Sequence, residues 1–296
     1  MGASELVDSW ELSLRAERKS PATVSNYLTG VRLYFEWCKA NDQADEISRR
    51  AAQLWIIDLL EDGAEASTAR ARLLAVRLYS TWLAEEEPAA HPVDVLLGLR
   101  SPKIDVKVVE PLTVDELQGM LKTCDRRTFT GVRDDALIRF MTETGARAGE
   151  VVALGVEDIN VKAGTAVVRR GKGGKGRIVA FGPKTAQALD RYLRLRRQHK
   201  HAGSARLWLG QQGPGFGYRA LHKTLGARAE AAGVVKFHPH QLRNTWAMRW
   251  LEAGGSEGGA MAVGGWSSRS MLDRYTRATA SVRAAAEAQK LDLGDI

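Results

Sequence analysis

The fold class is decided by one stretch, TAVVRRGKGGKGRIVAF at residues 165–181, where apolar residues stop recurring every three or four positions and begin to alternate. Two short runs rich in Val and Ile, at 165–169 and 177–181, flank a turn that contains four glycines. This pattern predicts a β-hairpin with a glycine-rich tip. The segments on both sides have helical spacing, so we predict a mainly α protein with a small β-hairpin or sheet, an α+β fold.

The first part of the chain predicts a compact unit of four helices. Ser20 followed by Pro21 is typical of a helix start, and helical periodicity runs over residues 5–17, 49–61 and 67–86. We interpret the aromatic residues of this unit as core and not as a base-stacking surface: Trp10, Tyr27, Trp37, Trp55 and Trp82. Arg70 and Arg72 are expected on its surface, where they face either DNA or solvent.

Prolines interrupt the periodicity after this unit, at Pro88, Pro92 and Pro102. We therefore predict a helical domain at 1–87, an extended linker at 88–110 and a second domain at 111–296. The second domain begins with Thr113 and Glu116 at the spacing of a capping box, which predicts a helix start.

Charge divides along the same boundary. Residues 1–110 hold 13 Lys and Arg against 18 Asp and Glu, a net charge of −5, and residues 111–296 carry +13, so that the whole chain has +8. A strongly basic domain favours a polyanionic partner, nucleic acid first. A basic surface that only maintains solubility is the other interpretation.

Composition narrows the class of protein further. No apolar run is long enough to span a bilayer, and the N-terminus lacks the pattern of a secretory signal. The two cysteines, Cys38 and Cys124, both lie in helical patterns, so we expect no disulfide framework and a cytoplasmic protein.

Four segments of the basic half carry candidate chemistry. They are a Thr-Gly-x-Arg-x-x-Glu stretch at a helix start, a lysine in the hairpin, a His-x-x-Arg pair on one helix face, and a Gly-Gly-Trp followed nine residues later by a tyrosine. Each alone is more typical of a structural role. The residues are Arg147, Glu150, Lys172, His240, Arg243, Trp266 and Tyr275.

Two other patterns are weaker than they look. Residues 171–176 resemble a phosphate-binding loop, but Arg177 stands where Ser or Thr would end a Gly-Lys-Ser/Thr motif. His238 and His240 lack further ligands at zinc spacing. We therefore predict no metal site and no cofactor.

Together and in order, the four segments resemble the catalytic domain of tyrosine recombinases, the family of phage integrases, Xer and Cre. The resemblance covers residues 111–280, and the helical pattern of 1–110 is similar to the family's core-binding (SAM-like) domain. Many members have His at the position of Trp266, and Trp replaces it here as it does in Cre; Asn244 follows Arg243 where many members have His. Both replacements still donate hydrogen bonds.

The resemblance implies a role for each residue. Tyr275 would be the nucleophile that forms a 3′-phosphotyrosyl bond, and His240 would accept its proton. Arg147 and Arg243 would grip the phosphate, with Trp266 as a further donor and Glu150 orienting the arginine. Lys172 would protonate the leaving oxygen, with Lys175 as the alternative. DNA contacts are expected from Lys175, Arg177, Arg70 and Arg72.

We therefore predict a site-specific recombinase that passes through a Holliday junction and integrates or excises a phage or mobile element. An Xer-type enzyme that resolves chromosome or plasmid dimers, a type IB topoisomerase and a DNA-binding protein without activity are the alternatives. Expected partners are double-stranded core sites, three further copies in a tetramer, and a directionality factor. Because the first helix begins close to Met1, we expect a simple integrase without an arm-binding domain.

Overall fold

The structure is a computed structural model that describes residues 2–104, 110–169 and 176–269, with short pieces at 272–273, 284–285 and 288–289. The chain divides into two compact units, Met1–Lys107 and Val108–Ile296. In the described part, no helix is both long and apolar enough to cross a membrane. The predicted fold class is confirmed, since helices dominate both units and the strands form one small sheet.

The first unit contains the four predicted helices: α1 (Val7–Ala16), α2 (Pro21–Ala40), α3 (Arg49–Glu61) and α4 (Ala66–Glu86). The side chain of Ser20 accepts a hydrogen bond from the backbone N–H of Thr23, so α2 begins as predicted. The aromatic residues form the core: Trp10 and Trp55 are buried, and Tyr27, Trp37 and Trp82 pack against them.

The predicted linker differs from the structure in its first half. Leu96 and Leu99 are buried in the core of the first unit, and the Asp94 carboxylate accepts hydrogen bonds from Ser80 and Thr81 of α4. The loss of helical periodicity at the prolines does not therefore mean a loss of packing. Two leucines and one carboxylate are enough to hold an irregular segment onto a helical core.

The second unit is built around one buried helix. Its helices are α5 (Val114–Lys122), α6 (Phe129–Thr144), α7 (Ala148–Ala153), α8 (Pro183–Arg197), α9 (Tyr218–Ala231), α10 (His240–Glu252) and α11 (Glu257–Gly264). Thr113 and Glu116 form the predicted capping box at the start of α5. Helix α6 is buried along most of its length and packs against α8, α9 and α10.

One buried carboxylate of this unit, Asp134, is paired with two arginines. On α6, Arg133 binds Asp134 at 2.8 Å. From α9, Arg228 makes a forked bond to the other oxygen of Asp134, at 2.7 and 3.0 Å, and donates to the carbonyl of Thr123 at 2.6 Å. Because each oxygen of the Asp134 carboxylate accepts hydrogen bonds from an arginine, the carboxylate is tolerated at 2% exposure.

The sheet has three antiparallel strands, β1 (Ile159–Asn160), β2 (Thr165–Val168) and β3 (Arg177–Ala180). Strands β2 and β3 form the predicted hairpin, with Thr165 opposite Ala180 and Val168 opposite Arg177. The two-residue strand β1 was not predicted. The hairpin tip at 170–175, with Lys172 and Lys175, lies outside the described residues.

Candidate active site

A cleft of about 410 Å³ in the second unit brings together segments that lie far apart in the sequence. Its lining comes from the loop before α7 and its first turn, from the start of α9, and from the start of α10: Ala146, Arg147, Ala148, Gly149, Glu150, Tyr218, His222, His238, Pro239, His240 and Arg243. Four of the predicted site residues, Arg147, Glu150, His240 and Arg243, therefore share one cleft.

The position of Arg147 is fixed by the Glu150 carboxylate and by the turn of the backbone before it. Arg147 is the N-cap of α7, and the Glu150 carboxylate accepts from its backbone N–H at 2.8 Å and from its Nη1 at 3.0 Å. Just before it, Gly145 ends α6 in the left-handed conformation, with φ +62°. The chain therefore turns sharply and presents the Arg147 guanidinium, which is 23% exposed, at the cleft.

Gly145→Ala should destabilise the protein by about 3 kcal/mol, the sum of a positive-φ cost and an overpacking cost. A Cβ at this position would stand 2.2 Å from the Trp246 ring. Gly254→Ala is the matched control, because Gly254 has φ +83° and open space around the missing Cβ. It should cost only about 1 kcal/mol. Urea unfolding of both variants measures the difference, and equal losses would contradict the predicted clash.

Arg243 is the most enclosed charged residue of the cleft. Its side chain lies on α10 at 1% exposure and donates to the carbonyls of Gly145 and Gly264, both at 2.6 Å. The guanidinium carbon lies 4.5 Å from the centre of the Trp266 ring. Hydrogen bonds and stacking together hold the plane of the guanidinium in one orientation.

His240 lies one helical turn before Arg243. Partial removal from water, together with the charges of Arg243, His238 and Arg147, lowers its pKa to about 4. The residue as a whole is nonetheless exposed. At neutral pH His240 is therefore an uncharged imidazole that can accept a proton.

Trp266 is 6% exposed and packs against Trp246, with ring centroids 5.7 Å apart. It follows Gly265, which ends α11 in the left-handed conformation. Its ring face lies against Arg243, so Trp266 supports the guanidinium by stacking.

Arg177 lies elsewhere than expected. We expected a DNA contact from Arg177, but the side chain is 10% exposed and makes a forked bond to Glu150, at 2.7 and 3.0 Å. Its Nε donates to the carbonyl of Val263. The expected DNA contact does not fit this placement, because β3 alternates and position 177 points towards the buried carboxylate. A charge count along the chain does not show on which face of a strand an arginine lies.

The remaining predicted residues lie outside this cleft or outside the described residues. Arg70 is exposed and Arg72 half-buried on α4, in the first unit. Tyr275, with Lys172 and Lys175, falls outside the part of the chain that the structure describes.

Two residues that line the cleft were not predicted from the sequence as site residues. His222 and Tyr218 pack against each other at the start of α9, with tilted rings whose centroids lie 4.5 Å apart. The sequence offers no sign of this, because α9 reaches the cleft through tertiary packing alone. Among the described residues, no group of three or more His, Cys, Asp or Glu is placed to hold a metal ion.

Comparison with known families agrees with this geometry. The model of the phage integrase family matches residues 110–281, and that of the phage integrase N-terminal SAM-like domain matches residues 7–87. The chain therefore belongs to the phage integrase family. It is a tyrosine recombinase, an enzyme of site-specific recombination.

Similar proteins include several Xer recombinases. The chain is 32% identical to tyrosine recombinase XerD of Corynebacterium glutamicum, over 95% of both chains. It is 28% identical to tyrosine recombinase XerC of Actinobacillus pleuropneumoniae, over 90% of this chain and 87% of that one.

Solved structures share the fold at low sequence identity. The Tn1549 transposon integrase, in complex with transposon right end DNA, matches 98% of this chain and 99% of its own, with a TM-score of 0.74 at 16% identity. A lambda integrase dimer bound to a core site matches 93% and 95%, with a TM-score of 0.72 at 16% identity.

Proposed function

We propose that this recombinase cleaves and rejoins double-stranded DNA through a 3′-phosphotyrosyl bond to Tyr275, within a Holliday-junction pathway. The observation that carries the proposal is that Arg147, Arg243 and the uncharged His240 line one cleft. Two guanidiniums and a proton acceptor are what attack on a phosphodiester by a side-chain hydroxyl requires.

Each group has one task in this scheme. As the Tyr275 oxygen attacks phosphorus, negative charge grows on the non-bridging oxygens, and Arg147 and Arg243 bind them. His240 accepts the tyrosine proton and returns it during rejoining. The bond from phosphorus to the 5′-oxygen breaks, and Lys172 protonates that oxygen, with Lys175 as the alternative. Trp266 adds a further N–H donor for the phosphate while its ring supports Arg243, and Glu150 orients Arg147.

We assign DNA binding to both units. The first unit would hold the core site, with Arg70 and Arg72 on its surface, and the basic second unit would carry out cleavage. Recombination would take place in a tetramer on two sites, in the bacterial cytoplasm, with a directionality factor as a further partner. Binding by many phosphate contacts should weaken steeply as salt rises.

For the biological role, we propose integration or excision of a phage or mobile element. Asn244 and Trp266 support this role, because each replaces the His more common at its position in the family. The second candidate is resolution of chromosome or plasmid dimers, favoured by the 32% identity with an Xer recombinase over 95% of both chains.

The experiment uses a pool of duplexes of randomised sequence, each nicked so that the cleaved fragment diffuses away and the covalent adduct persists. Sequencing the trapped DNA defines the half-site. The adduct should carry a free 5′-hydroxyl and a 3′-phosphotyrosyl link. Two plasmids that bear the site should then yield recombinants; relaxation without recombinants would indicate a topoisomerase. A match of the site to DNA beside the gene supports a mobile element, and a single chromosomal match near the replication terminus supports dimer resolution.

Cleavage should proceed at an unchanged rate in EDTA and without nucleotide. Arginine, histidine and lysine side chains supply the charge and the protons that a metal ion provides in other phosphodiester cleavages. The measurement is adduct formation on the selected half-site with EDTA, compared with the same reaction in Mg²⁺. Loss of activity in EDTA that Mg²⁺ alone restores would contradict the scheme.

A further inference from the structure

Three arginines converge on the end of α11. Arg177 donates to the carbonyl of Val263, Arg243 to Gly264 at 2.6 Å, and Arg147 to Gly265 at 2.9 Å. These are three successive carbonyls, at the negative end of the helix that leads into Trp266. The three guanidiniums come from β3, α10 and the N-cap of α7, so this one helix end joins three elements.

One carboxylate serves two of these arginines. Oε1 of Glu150 accepts from Nη1 of Arg147 and from Nη1 of Arg177, both at 3.0 Å. Its Oε2 accepts from the backbone of Arg147 at 2.8 Å and from Nη2 of Arg177 at 2.7 Å. Burial acts to raise the pKa of Glu150, but the bonds from Arg177 and Arg147 outweigh it and leave the pKa lowered. Glu150 is therefore a full negative charge.

The charges of Arg147, Arg177 and Glu150 indicate a role for Arg177. With Arg177 present, two positive charges face one negative charge, and Arg147 keeps a net attraction for a phosphate. Without Arg177, the buried carboxylate would neutralise Arg147 and compete with the phosphate for its guanidinium.

We propose that Arg177 is a positioning residue for strand cleavage, which balances the charge of Glu150 and ties Arg147 to the helix end that leads into Trp266. The inference rests on the proposed function, in which Arg147 binds the scissile phosphate.

A close approach at Gly265 supports this role, and a second buried-pair arginine, Arg228, allows an experiment to separate it from simple stabilisation. Gly265, at φ +63°, lies between two guanidiniums, since a Cβ there would stand 3.2 Å from Nη1 of Arg177 and 3.4 Å from Nη1 of Arg147. Arg228 offers a matched structural arginine in the same unit, with a forked bond to buried Asp134 and one bond to a backbone carbonyl. It makes the same kinds of bond as Arg177, but to a carboxylate and a carbonyl that do not bind Arg147.

The test measures single-turnover adduct formation on the selected nicked half-site, with the full chain, under conditions where urea titration shows each variant folded. Arg177→Met should slow cleavage about a hundredfold, the scale of a small misplacement of a catalytic group. DNA affinity should stay within about threefold, because many other phosphate contacts remain. Arg177→Lys should recover about tenfold, since it keeps the charge and loses the fork. Arg228→Met should cleave at close to the wild-type rate.

The decisive variant is the double substitution Arg177→Met with Glu150→Gln. Removing the uncompensated carboxylate should raise the rate at least about tenfold above that of Arg177→Met alone. The reason is that the attraction between Arg147 and a full negative charge is comparable in free energy to the loss of rate in Arg177→Met. A double variant that is as slow as the single one, or slower, overturns the proposal, as does a wild-type rate for Arg177→Met.

Amide exchange gives a readout independent of activity. The N–H groups of Gly265 and Trp266 donate to the carbonyls of Ala262 and Met261, and they should exchange faster in Arg177→Met and at the wild-type rate in Arg228→Met. Unchanged exchange at both amides in Arg177→Met would also count against the tie to α11. If Arg147→Ala and Tyr275→Phe still form adducts, the proposed function fails. If they do not, and the double variant is not rescued, the Arg177 proposal fails alone.

Discussion

Tyr275→Phe should form no covalent adduct with a nicked half-site, a loss of at least about 10⁴-fold, because removing a nucleophile leaves only the binding contributions of a site. Binding to the same DNA should be unchanged, since one hydroxyl among many phosphate contacts is lost. The measurement is denaturing electrophoresis of labelled DNA after incubation with excess protein.

Two other tyrosines serve as controls for this assignment. Tyr192 is fully buried, its hydroxyl donates to the carbonyl of Leu207 at 2.9 Å, and burial raises its pKa to about 12. Tyr192 therefore cannot reach or attack a phosphate. Tyr218 lines the cleft and is 54% exposed. Tyr218→Phe should retain full adduct formation; an adduct that survives in Tyr275→Phe and disappears in Tyr218→Phe would reassign the nucleophile.

Local sequence signals were enough to predict much of the fold. The Ser20 cap and the Thr113–Glu116 capping box both depend on residues within one helical turn, so their chemistry can be read from the chain alone. The hairpin is likewise a local pairing of two adjacent β-branched runs. The resemblance to tyrosine recombinases, carried by the spaced motifs, also implies one site for Arg147, His240 and Arg243.

Features that depend on distant contacts could not be predicted in this way. Arg177 was expected to face DNA, and its true partner Glu150 lies 27 positions earlier on another element. Leu96 and Leu99 belong to a segment without periodicity, and only a finished helical core gives them a place to pack. His222 reaches the cleft because α9 packs across α7, which no local pattern encodes.

Arg243→Lys should lower the rate of adduct formation by about 10³-fold, at or above the upper end of losses for a single oxyanion donor. A lysine keeps the charge but has no planar fork, so it cannot bind the carbonyls of Gly145 and Gly264, stack on Trp266 and still face a phosphate. Arg249→Lys is the control, since Arg249 lies exposed on the same helix. Its rate should match wild type.

The two arginines should also fail to act independently. Arg147 and Arg243 bind neighbouring carbonyls at the end of α11, at Gly265 and Gly264, so displacing one guanidinium shifts the support of the other. Groups that act as a unit give losses that do not multiply. We therefore expect Arg147→Lys with Arg243→Lys to lose much less than the product of the two single losses, measured by single-turnover cleavage of one half-site. A fully multiplicative loss would show two separate phosphate contacts and would contradict a shared clamp on the helix end.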